Sequence, residues 1–75
     1  YVLITHGHYD HIMDARVIAG HYNAKIVCLE AAREFLQNSE LNFATYYGES
    51  VSVNPDMTLA EGAVLIVGNI KIKVF

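Results

Sequence analysis

The chain reads as an α/β domain, a sheet covered by helices. Three observations predict it. Apolar, β-rich runs at residues 1–5 and 25–29 alternate with helical patterns at about 11–22 and 30–37. The last third carries two β-type runs around a Gly-Asn pair, the pattern of a hairpin. Of the 75 residues, 53% are hydrophobic, which is high for one small domain.

Each element has a local reason. Tyr1-Val2-Leu3-Ile4-Thr5 is a continuous run of β-formers, so a buried strand is expected there. Gly7 permits an irregular loop after it. Asp10 is placed to cap one helix over about 11–22, with Ile12, Ala15 and Ala19 on one side and Asp14 and Arg16 facing water. His21-Tyr22-Asn23 ends that helix. Lys25–Leu29 reads as a second buried strand. Glu30–Gln37 reads as a short helix, with Glu30 and Glu34 early, where the helix dipole favours them. Asn38-Ser39 stops it. Residues 40–50 give no clear signal and end at Gly48. Residues 51–53 are expected to be a short strand, Asn54-Pro55-Asp56 a turn, and Ala63–Val67 with Ile70–Phe75 a hairpin.

Composition narrows the function classes. A net charge of −3 gives no reason to expect nucleic acid or an anionic membrane as partner. No apolar run reaches the ~18 residues that a bilayer span needs. The single Cys28 excludes an internal disulfide and fits a reducing compartment, so a cytoplasmic protein is expected. The first and last expected strands would both be sheet edges lacking partners. The chain is therefore expected to be a piece of a longer protein.

The chemistry is concentrated in Thr5-His6-Gly7-His8-Tyr9-Asp10-His11. Imidazole and carboxylate suit zinc, iron and manganese. With 4 His and 3 Asp in 75 residues, H-x-H-x-D-H should arise by chance about 4 times in 10,000. His6 and His8 are two apart, so in extended backbone they point the same way and can share one metal. Asp10 and His11 diverge from them at the helix start and can hold a second. Two metals about 3.5–4 Å apart can activate one bridging water. A strand's C-terminal end is also where open α/β sheets place their sites. Two alternatives stay open: a single metal with Asp10 outside its coordination sphere, and a histidine loop without metal in which Asp10 only caps the helix.

At these residues the sequence resembles the metallo-β-lactamase-fold hydrolases, whose hallmark is T-H-x-H-x-D-H after a short apolar strand. Looser matches run through Ala24–Val27, Glu30-Ala31-Ala32, Tyr47-Gly48-Glu49 and Leu59–Leu65 and are similar to the glyoxalase II-like branch. The resemblance implies part of a four-layer αββα sandwich, incomplete in this chain. It implies two divalent metal ions, zinc first, with His6 and His8 on one and Asp10 and His11 on the other. It implies a metal-activated hydroxide attacking a thioester or ester carbonyl, as in hydroxyacylglutathione hydrolases. Asp10 is implied as both ligand and orienter of the nucleophile, and Thr5 as a hydrogen-bonding support of the loop. The remaining ligands would come from the rest of the parent chain, which the small-molecule reaction therefore needs. Alternatives are a sulfur dioxygenase or other redox enzyme on the same fold, or a metal-binding fragment with no activity of its own.

Other residues carry less. His21 is expected at the helix surface, far from the cluster, and Cys28 in the core. Tyr9 is a candidate for the mouth of the site. Phe43, Tyr46 and Tyr47 are expected to pack the second helix rather than form a substrate wall. Lys71 and Lys73 alternate with apolar residues as the wet face of a strand.

Overall fold

The structure is a computed structural model that describes residues 1–75. Its centre is a parallel three-stranded sheet of order β1-β2-β3: β1 is Val2–Ile4, β2 is Ile26–Leu29 and β3 is Met57–Leu59. Val2 pairs with Ile26, and Val27 with Met57. Strand β2 is central, and Ile26, Val27 and Cys28 are all buried, as a strand covered on both faces requires.

Side chains alternate across this sheet. Ile4, Ile26 and Cys28 meet Ile12, Ala15 and Ala19 from the helices, together with Leu36 and Val53, in one apolar core. Leu3, Val27 and Leu29 line the opposite side, facing an open groove of about 260 Å³ toward Ile72 and Phe75. The hairpin is separate from the sheet. Strands β4 (Val64–Val67) and β5 (Ile70–Lys73) pair antiparallel, and Gly68 takes φ +60° at the tight turn between them.

Three expectations are corrected. The helix after the loop is two helices, α1 (Tyr9–Ile12) and α2 (Ala15–Tyr22), interrupted at Met13-Asp14. Asp14 leaves the helical range at φ −106°, ψ 3°, and Asp is among the poorer helix formers. Both pieces still bury the expected face, because Ile12, Ala15 and Ala19 remain at helical spacing. Likewise Glu30–Gln37 opens as a 3₁₀ turn over Glu30–Ala32 before α3 (Arg33–Gln37).

Residues 51–53 join no strand. The Val53 amide donates to the Leu36 carbonyl at 2.7 Å, and the Ser52 hydroxyl donates to the Gln37 carbonyl at 3.1 Å. The segment thus satisfies carbonyls that the end of α3 would otherwise leave unpaired. The third strand is instead Met57–Leu59, which the sequence pattern did not signal. Asp56 fixes its register: its amide donates to the Ile26 carbonyl and its carboxylate accepts from the Ile26 amide, both at 2.8 Å.

Candidate metal centre

Strand β1 ends at Ile4, and Thr5–His8 form the irregular link to α1. The ligand-type cluster therefore lies at the C-terminal end of a parallel strand, at the sheet's edge. His8 is the N-cap of α1 in extended backbone (φ −74°, ψ 151°). Asp10 lies one residue inside the helix and makes no capping bond, so its expected cap role is corrected. Its carboxylate is left free for other chemistry.

The side chains come together in two pairs. Nε2 of His6 faces Nδ1 of His8 within hydrogen-bonding reach, with the rings edge to face at 4.0 Å between centroids. Nε2 of His11 lies 3.8 Å from Oδ1 of Asp10, at 54% and 74% side-chain exposure. The pairs adjoin, because the His6 and His11 rings meet at 4.7 Å. No three His, Cys, Asp or Glu side chains form a ready coordination shell. Each pair offers two donors of the kind a four-coordinate zinc takes. The donor chemistry fits a divalent metal at each pair.

Gly7 sits between the two histidines for a steric reason. A Cβ there would collide with the Cβ of Phe35 on α3. Its φ is not positive, so close packing rather than backbone freedom selects glycine. Thr5 makes no side-chain hydrogen bond. The support of the loop comes from elsewhere: the Tyr9 amide donates to the Asn42 carbonyl at 2.6 Å. Asn42 was not singled out by sequence; the available signal was a lone amide inside Leu41-Asn42-Phe43-Ala44.

Beside the pairs lies an open cleft of about 670 Å³ bordered by His8, Tyr9, Asp10, Phe43, Tyr46 and Tyr47. Tyr9 stacks on Tyr47 at 5.5 Å, and Phe43 leans on His8 at 5.0 Å. The three aromatics expected to pack the second helix are exposed instead, Tyr46 at 83%. The region turns them outward through a 3₁₀ turn at Thr45–Tyr47 closed by Gly48 at φ +74°. His21 is exposed near the end of α2, and Lys71 and Lys73 are exposed on β5, as expected. Cys28 is buried in β2. Burial pushes its thiol pKa above the ordinary value; Arg33 opposes the shift and Glu30 adds to it. It is thus a poor nucleophile.

The metallo-beta-lactamase superfamily model matches residues 1–72. A UPF0173 metal-dependent hydrolase of Archaeoglobus fulgidus is 32% identical over 66 residues, 88% of this chain and 26% of the relative. A second UPF0173 metal-dependent hydrolase, from Methanosphaera stadtmanae, is 41% identical over 54 residues, 71% of this chain and 23% of its own length. An uncharacterized protein of Aquifex aeolicus is 31% identical over 75 residues, 97% of this chain and 35% of its own. The chain thus spans between about a quarter and a third of these relatives. No solved structure matches.

Proposed function

The chain belongs to the metallo-beta-lactamase superfamily, and from that premise we propose that it is part of a metal-dependent hydrolase acting on a thioester or ester. The observation that carries this reading is the double pairing of donors at the end of β1: His6 with His8, and Asp10 with His11. The names of the relatives support metal dependence and hydrolysis. The glyoxalase II-like branch, the four-layer sandwich and a cytoplasmic, small-molecule role are finer parts of the same proposal.

Nε2 of His6 and Nδ1 of His8 would hold one divalent ion, zinc first, and Asp10 with His11 a second. When bound, such ions lower the pKa of water so that hydroxide forms at neutral pH, and they meet negative charge developing on a carbonyl oxygen. The residues of this chain do the rest. Asp10, free of any cap bond, orients the attacking oxygen through its carboxylate. The Tyr9–Tyr47 stack and Phe43 give the apolar part of an acyl group a surface to lie on, within reach of His8. The remaining donors come from the rest of the parent protein.

The test uses that whole protein. Elemental analysis should find divalent metal, and the His8→Ala, Asp10→Ala double variant should lose it. Turnover should appear with thioesters or esters ahead of lactams, and without oxygen uptake on persulfides. Unchanged metal content in the double variant would sink the ligand assignment. Persulfide oxidation would replace hydrolysis with the dioxygenase reading.

A further inference from the structure

We propose that Asn42 is a positioning residue for the histidine-aspartate loop, acting through the Tyr9 amide and the Phe43 ring. The proposal rests on His8, Asp10 and His11 being metal ligands. Asn42 is the one polar side chain that is fully buried, at 0% exposure. Its Nδ2 donates to the Phe35 carbonyl at 2.9 Å and to the Val51 carbonyl at 3.0 Å. Its Oδ1 accepts from the Ala44 amide at 3.0 Å. Both side-chain donors and the acceptor are thus engaged, and an isosteric apolar residue would take this partner from the Phe35 carbonyl and the Ala44 amide, while the Val51 carbonyl would keep only the Ser39 hydroxyl at 3.1 Å.

This amide ties α3 at Phe35 to two points of its own loop, Ala44 and Val51. So fixed, the Asn42 backbone carbonyl accepts the Tyr9 amide at 2.6 Å. Tyr9 stands between His8 and Asp10, so this bond sets where α1 begins and how both ligand-type residues leave the backbone. A second contact follows from the same side chain. Phe43 has φ +69°, a left-handed conformation that a bulky L-residue adopts only when its surroundings enforce it. The Ala44-to-Oδ1 bond spans Phe43 and holds it there, which brings its ring to 5.0 Å from that of His8. One buried amide thereby fixes two contacts to the loop and touches no ligand atom itself. Contacts of this indirect kind typically govern metal affinity by about 10–100-fold.

A role in loop stability alone predicts something different, and Tyr9 separates the two. Tyr9 is the first residue of α1, where proline is favoured, and the extended His8 backbone suits a following proline. Tyr9→Pro and Tyr9→Ala both remove the ring, but only Tyr9→Pro removes the N–H that Asn42 receives. Zn²⁺ affinity is measured by chelator competition on the whole apoprotein, with far-UV circular dichroism as the fold check. Asn42→Ala should weaken Zn²⁺ binding about 10–100-fold, and Tyr9→Pro should bind about 10-fold or more weakly than Tyr9→Ala. Should Asn42→Ala fail to fold, the Tyr9 pair decides, since neither variant alters the Asn42 side chain itself. Equal affinities for the two Tyr9 variants, with His8→Ala having lost Zn²⁺, overturn the positioning role and leave the ligand assignment standing. Full Zn²⁺ binding by His8→Ala overturns both.

Discussion

Between Thr5 and His11 the chemistry faces outward. The Asp10 and His11 side chains are more than half exposed, and the four donors touch mainly one another. Between Asn38 and Val51 the arrangement is reversed. The aromatic rings are outside, while the Asn42 amide is fully buried and engaged in three hydrogen bonds. The first loop carries reactive groups and little that holds them. The second carries no reactive group and holds the first. An exposed donor keeps its lone pairs for a ligand, whereas a buried amide must spend its bonds on the protein.

The sharpest way to separate the loops is to remove donors from the first. On the proposed ligand assignment, His6→Ala in the whole protein should lower Zn²⁺ affinity at least about 100-fold, yet shift the thermal midpoint of the apoprotein little. A large apoprotein destabilisation would show that the histidines also hold the fold. Next in size is the core beneath the second loop. Leu36 is fully buried, and Leu36→Ala should cost about 2–5 kcal/mol by chemical denaturation, with the ligands themselves untouched. A cost below ~1 kcal/mol would mean that α3 is not the platform on which the second loop rests.

Gly7→Ala tests where the two regions meet. The added methyl must displace Phe35, and such overpacking costs about 1–3 kcal/mol; Phe35→Gly in the same chain, which removes the Cβ that the methyl meets, should recover part of it. No recovery would place the strain elsewhere. The smallest effect is expected at the rim. Tyr46→Ala should change stability by less than about 0.5 kcal/mol, because the ring is 83% exposed. A larger loss would return Tyr46 to the packing role that its position near a helix first implied.

The outline of the fold was readable in the sequence because apolar period and turn chemistry are local. β1, β2 and the β4–β5 hairpin lie where apolar runs and the Gly68-Asn69 turn place them, and Ile12, Ala15 and Ala19 form the buried helical face. The helix interruption at Asp14 and the failure of 51–53 to form a strand were not readable. The first turns on a weak local preference of Asp that the continuous apolar spacing conceals; the second depends on partners distant in sequence. Val53 has the composition of a strand, but the carbonyls at the end of α3 take its amide first. Met57–Leu59 has little strand signal, yet Asp56 clips it to Ile26, thirty residues away.

The sequence by itself determined the chemistry of this protein: His6, His8, Asp10 and His11 at fixed spacing after a β-rich run, with Cys28 in the strand interior. Ligand type is a property of side chains, and short spacing survives any tertiary arrangement. Only the tertiary structure decided how those side chains are held. Asn42 lies thirty-one residues beyond His11 and looks like an ordinary polar loop residue. Its role exists because folding removes it from water beside Phe35 and Val51 and turns its carbonyl to Tyr9. A buried amide must find partners, and the partners it found connect the core to the metal-type loop.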